Sequence, residues 1–175
     1  MLFRSWLSTV FSVLFIVSRT FAVESADGAL DALRVAGVPP AGIFLGKAAA
    51  LALELLALDA LLVGAAIVLY RADVSAEGAV LLVTTAVLAT VGLAAVGTLY
   101  GGLATGAKGR ETLLPLLLLP VMAPVLIGAT RATESSFGTN GVEVGEGWPW
   151  LGLLAVFAVM FSVVGAVAFG PLVDE

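Results

Sequence analysis

Hydrophobic residues in this chain fall in long unbroken runs rather than at alternating or helical spacing. Ile43 to Leu69, Ala79 to Leu99, Leu113 to Ala129 and Trp148 to Phe169 each approach or exceed the roughly 20 residues that an α-helix needs to cross a bilayer. A segment in lipid must satisfy its own backbone hydrogen bonds, so these runs predict helices. Alternating segments of about ten residues, the mark of a membrane β-barrel, do not occur. The first apolar stretch, Leu2 to Val17, can be read in two ways. Arg4 near its start, followed by apolar residues, and Thr20-Phe21-Ala22 behind it resemble a signal peptide with a cleavage site. The length of the stretch and Arg19 just before that site favour a short membrane helix. The predicted class is all-α, a polytopic membrane bundle in a single domain over residues 1–175. About five spans are expected, near residues 2–17, 43–70, 79–100, 113–129 and 148–169.

Between the runs the pattern changes. Glu24 to Gly37 places Leu30, Leu33 and Ala36 on one stripe, with Asp27, Asp31 and Arg34 beside it. Gly37 ends this segment and Pro39-Pro40 forbids its continuation, so it predicts a short amphipathic helix outside the membrane core. Arg71 to Gly78 reads as a polar turn, and Gly101 to Glu111 as a glycine-rich link. The run after it contains Pro115, Pro120 and Pro124, which predict a kink or local unwinding. Thr130 to Gly147, with four glycines and three glutamates, reads as the longest polar loop. Trp148-Pro149-Trp150 then anchors the last span at an interface. With the amphipathic helix in the cytoplasm, that side holds Arg19, Arg34, Lys47, Lys108 and Arg110, against Arg4, Arg71 and Arg131 outside. This agrees with the positive-inside rule and puts the amino terminus outside and the carboxyl terminus inside.

Composition sharpens the picture. Apolar residues make up 61% of the chain and charged residues 12%, with a mean hydropathy of +1.13, and all three values point into lipid. The chain has no Cys and no His, which excludes a disulfide framework, the usual zinc sites and a Cys or His nucleophile. Haem iron would have to be ligated by Met1, Met122, Met160, Tyr70 or Tyr100. Each of these reads better as packing, interface anchor or start residue, so the chain is expected to bind no cofactor itself. The net charge of −5 argues against nucleic acid as a partner. No Gly-Lys-Ser/Thr phosphate loop is present, since Gly46-Lys47 is followed by Ala48; the chain by itself is not expected to be an enzyme or to hydrolyse ATP.

Three ionisable residues lie inside one apolar run: Lys47, Glu54 and Asp59. Such groups are costly in a span and usually face the bundle interior. Glu54 and Asp59, five positions apart, project about 140° from each other, so one surface does not comfortably present both. Lys47 and Glu54 share a face but stand about 10 Å apart along the axis, too far for an easy ion pair. The acids are open to two readings, a pathway or conformational latch, or a polar contact that fixes helix packing. Gly97-x-x-x-Gly101 and Gly102-x-x-x-Gly106 would permit close helix approach, a weak signal in a chain with 20 glycines.

The segment with Glu24, Asp27-Gly28, Leu30-Asp31 and Leu33, followed by Gly-x-Pro and Leu45-Gly46-Lys47, resembles the cytoplasmic coupling segment of the CcmB family. That family supplies the permease subunit of the cytochrome c maturation ABC transporter. The stretch Gly109-Arg110-Glu111-Thr112-Leu113-Leu114-Pro115 to Pro120, continuing Pro124-Val125-Leu126-Ile127, is similar to the family's Pro-Leu-rich helix. The resemblance runs from about Leu14 onward. The family typically has six spans, and the first segment here resembles its second helix, so the family's first helix has no counterpart. By resemblance, two such permeases pair with two copies of a cytoplasmic ATPase (CcmA-like), which binds the ATP. They work beside CcmC- and CcmD-like haem-handling membrane proteins in the cell (plasma or inner) membrane. Haem as cargo, or ATP-driven release of a haem-loaded chaperone, are both compatible with this resemblance.

An ATPase grips such a coupling helix in a surface groove. Leu30 and Leu33 would fill the groove, and Glu24, Asp27 and Asp31 would meet basic residues. A helix lying in the membrane interface is the alternative, but three acids in eight residues suit an anionic leaflet poorly. Other functions remain open at this level: an ABC exporter permease with another cargo, an ion-coupled carrier using Glu54 and Asp59, or a scaffold that transports nothing.

Overall fold

The structure is a computed structural model that describes residues 6–17, 36–71, 74–103, 110–138 and 141–173. Five α-helices follow in order: α1 (Trp6–Val17), α2 (Pro40–Tyr70), α3 (Ala76–Leu103), α4 (Arg110–Ser136) and α5 (Trp148–Val173). A 3-10 turn, Val144–Gly147, leads into α5. Four of these helices, α2 to α5, are long and apolar enough to cross a membrane, and α1 is a shorter apolar helix. The described residues are therefore those of a polytopic helical membrane protein, as the apolar runs predict.

The ends of α2 and α3 follow from local chemistry. Pro39 and Pro40 open α2, where a fixed φ suits the first turn and a missing N–H costs nothing. Arg71 closes α2 in the left-handed conformation (φ 47°), its N–H donating to the Ile67 carbonyl. Ser75 then caps α3, its Oγ accepting from the Gly78 N–H at 3.0 Å.

Helix α3 is the centre of the bundle. Over half of its most apolar stretch (56%) is buried inside the protein, against 22% for α2 and 28% for α5. It packs on α2, α4 and α5. Small residues let neighbours approach: a Cβ on Gly97 would meet Val13 and Val17 of α1, and one on Gly92 would meet Phe157 of α5. Gly101 and Gly102 are buried too, Gly102 against the Phe169 ring. Gly106 lies outside the described residues.

Successive helices alternate in direction, which gives the bundle two distinct ends. At one, the starts of α1, α3 and α5 meet the close of α4 through the Trp6–Thr133 and Trp148–Glu77 hydrogen bonds and the contact of Gly78 with the Ser136 carbonyl. At the other, the start of α2 meets the close of α5, where Phe44 and Phe169 stack obliquely with centroids 5.6 Å apart.

One expectation needs correction. Thr130 to Ser136 is not loop but the last turns of α4. The hydroxyls of Thr130, Thr133 and Ser136 donate to the carbonyls of Leu126, Ala129 and Ala132, four residues back, so these polar side chains are satisfied within their own helix. Of the two outcomes expected at the prolines, a kink or local unwinding, the second does not occur: α4 runs continuously through Pro115, Pro120 and Pro124. Pro120 and Pro124, four residues apart, both lie on the exposed side of the helix.

Candidate functional site

Among the described residues, the ionisable groups of α2 form the best-defined candidate site. Asp59 is buried, with 5% of its surface exposed, and Thr9 of α1 donates its hydroxyl proton to Asp59 Oδ1 at 2.7 Å. Asp59 Oδ2 is enclosed and has no hydrogen-bond partner among the described residues. One turn away on α1, Trp6 Nε1 donates to Thr133 Oγ1 of α4 at 3.0 Å. That same hydroxyl donates onward to the Ala129 carbonyl at 2.7 Å, so it is used in both directions. A cavity of about 40 Å³ lies between these groups, lined by Trp6, Asp59, Thr133, Phe137 and the apolar side chains of Leu62 and Leu82. Its volume suits one water molecule, and Asp59 and Thr133 supply polar lining for it.

A carboxyl held by one neutral hydroxyl is a polar tie between two helices rather than an ion pair. The Thr9–Asp59 bond is compatible with both readings of the acid, a packing contact and a conformational latch. Glu54, in contrast, is exposed on the opposite side of α2 and makes no hydrogen bond or ion pair with any described residue. The two acids do not line one surface, in keeping with their angular separation. Lys47 is half-buried one face-repeat below Glu54, and no bond joins the two.

The remaining predicted residues are spread elsewhere. Glu24, Asp27, Gly28, Leu30, Asp31 and Leu33 lie outside the described residues. Pro120 and Pro124 sit on the exposed side of α4, and Pro115 lies in the main chain of the same helix. Among the possible haem ligands, Met122 is enclosed in the core, whereas Met160 faces outward from α5. The described residues contain no group of His, Cys, Asp and Glu that could hold a metal ion. Thr9, Trp6 and Thr133 are the partners that sequence reading did not find. A threonine within an apolar run carries no periodic signal, and only the fold brings positions 9 and 59 together.

At the same end of the bundle, Arg131 pairs with Glu134 at 3.2 Å and Trp148 Nε1 donates to Glu77 Oε1 at 3.2 Å. An open groove of about 380 Å³ runs past Arg131, Glu134, Glu146 and Trp150. Indole rings with a polar tip and an apolar body suit a membrane–water boundary.

This combination defines a multi-pass helical membrane protein with a polar tie inside its bundle, and its functional class follows from what it is similar to. The CcmB protein family model matches residues 5–174, and the chain belongs to that family. Heme exporter protein B of Rhodobacter capsulatus is 32% identical over 139 residues, 79% of this chain and 63% of that protein. Heme exporter protein B of Haemophilus influenzae is 32% identical over 171 residues, 95% of this chain and 70% of that protein. The chain thus spans about two thirds of the length of these relatives. No solved structure matches it.

Proposed function

We propose that the chain is the membrane-spanning permease subunit of an ABC-type exporter in cytochrome c biogenesis. The observation that carries this reading is the family match over residues 5–174, together with two relatives named heme exporter protein B. A separate cytoplasmic ATPase drives it, gripping the 24–37 segment, which includes Gly28, through Leu30 and Leu33, with Glu24, Asp27 and Asp31 meeting basic residues. Two copies of the permease pair in the cell membrane beside haem-handling membrane proteins. Haem, or the release of a haem-loaded chaperone, is what the ATP is spent on. The four membrane-competent helices and their alternating directions support a permease architecture.

The test is co-purification, in mild detergent, of the full chain with the ATPase subunit of the same organism's cytochrome c maturation system. The native chain is expected to retain the ATPase, and an Asp27→Lys, Asp31→Lys variant to lose it. If both bind, the docking residues are wrong and the family reading stands. If neither binds while the chain is stably inserted, the permease reading fails.

A further inference from the structure

We propose that the cavity between α1, α2, α3 and α4 holds one resident water molecule, which donates to Asp59 Oδ2 and to the Thr133 hydroxyl oxygen and so joins two separate interhelical bonds into one ring. Two independent observations meet there. Asp59 is 5% exposed, its Oδ1 accepts from Thr9, and its Oδ2 is enclosed without a hydrogen-bond partner among the described residues. An enclosed acceptor left unpaired carries the full cost of its lost hydration, and native proteins keep few of them. Beside it lies the cavity of about 40 Å³ that Asp59, Thr133 and Trp6 line. A water needs about 10–15 Å³ of room and two or more polar partners.

The donors and acceptors match. Thr133 Oγ1 receives the Trp6 indole proton and gives its own to the Ala129 carbonyl. A hydroxyl oxygen has two lone pairs, so one acceptor position is left. A water that gives one proton to that position and the other to Asp59 Oδ2 uses both of its donors. The carboxyl torsion of Asp is broad, and a small turn sets Oδ2 toward the cavity while Oδ1 keeps the Thr9 proton. Thr9 and Trp6 stand three residues apart on α1, so the bonds run from α1 through Asp59, the water and Thr133 back to α1. Members of such a ring polarise and strengthen one another.

The surroundings select the occupant. Oδ2 is enclosed by this chain's own atoms, which puts it beyond the reach of a further segment or a second subunit. A hard cation takes about six or more oxygen ligands. The side chains around this cavity bring one carboxyl and one hydroxyl, among apolar neighbours such as Leu62 and Leu82. Solvent is close, because Thr133 stands less than one turn before the close of α4.

The site rests on the membrane-spanning fold and not on the transport reading, so failure of ATPase co-purification leaves it standing. It is tested on the full chain in detergent, deuterated except for isotope-labelled alanine methyl groups, by NMR transfer of magnetisation from water to those methyls. Ala66 and Ala86 line the cavity and are expected to show transfer of opposite sign in the laboratory and rotating frames, the mark of a long-lived water. The Ala94 methyl, enclosed in the core, should show none. Asp59→Leu removes the acceptor and should lower the transfer roughly threefold or more, since an apolar cavity stays dry. Asp59→Asn keeps an acceptor oxygen and should retain most of it. The Thr133 hydroxyl proton can relay magnetisation, but that relay survives in Asp59→Leu, so the drop there reports the water. Ala86→Val, which fills the cavity and leaves every polar partner in place, should abolish transfer at Ala66 and guards against misfolding of Asp59→Leu. No long-lived transfer in the native chain, transfer that persists in both Asp59→Leu and Ala86→Val, or transfer lost when sodium chloride replaces choline chloride would each overturn the proposal.

Discussion

The two ends of the bundle are fastened by different means. Where α1, α3 and α5 begin, side chains cross between helices with hydrogen bonds: Thr9 to Asp59, Trp6 to Thr133, and Trp148 to Glu77. Where α2 begins and α5 closes, rings pack against a ring and against glycines. A Cβ placed on Gly165 would overlap the Phe44 ring, and one on Gly102 would press into Phe169. In lipid, burial of an apolar side chain brings little gain, so helices hold together through close packing or through polar groups with nowhere else to go. Close packing stands out at one end of this protein and interhelical hydrogen bonds at the other. The ring end depends on the absence of atoms, the polar end on the presence of particular ones.

The largest effect is expected at the ring end. Gly165→Ala should lower the stability of the detergent-solubilised protein by roughly 2–3 kcal/mol, since the new methyl meets three ring atoms at once. Unfolding by SDS titration measures it, and adding Phe44→Leu should recover at least half the loss. A neutral Gly165→Ala would mean that the ring has room to move, and the contrast between the ends would collapse.

At the polar end the penalties are smaller. Thr9→Val leaves Asp59 buried with neither oxygen bonded to another described residue, which should cost about 1–2 kcal/mol on the same assay. Asp59→Asn keeps an acceptor oxygen for Thr9 and should stay within about 0.5 kcal/mol of the native protein. A loss from Asp59→Asn equal to that from Thr9→Val would show that the charge, and not the acceptor, matters here.

Thr133→Val removes the acceptor of the Trp6 indole and should cost about 0.6 kcal/mol, the average for a hydrogen bond between membrane helices. A blue shift of Trp6 fluorescence, read in a variant whose other tryptophans are phenylalanine, checks that the indole has lost its partner. Trp148→Phe is expected to change stability least, by under about 0.5 kcal/mol, because its bond to Glu77 lies at an exposed site.

The ring end and the polar end were unequally legible in the sequence. The four long apolar runs announce α2 to α5, because a bilayer imposes a length that a local count can detect. Thr130 to Ser136 was lost to that count: polar residues read as loop, yet three of its hydroxyls serve carbonyls one turn back and extend the helix. The acids of α2 could be seen to point apart from their spacing alone. Which of them turns inward depends on Thr9, fifty positions away, and no local pattern encodes that. Phe44 and Gly165 meet across an even longer separation, and a lone glycine in an apolar run looks the same whether it faces a ring or lipid. The coupling segment is legible only in sequence, since residues 24–33 lie outside the described part of the structure.

The Thr9–Asp59 bond also sets the bearing of a helix. An apolar cylinder in an apolar medium has little to tell it which way to face about its own axis, and α2 is the least enclosed of the long helices. One short bond, 2.7 Å from α1, holds Asp59 inward and so aims Glu54 about 140° round the cylinder. Thr9 thereby steers a carboxyl it never touches. A probe that reads helix orientation, such as a spin label at Leu61, should find a narrow distribution in the native chain and a broad one in Thr9→Val.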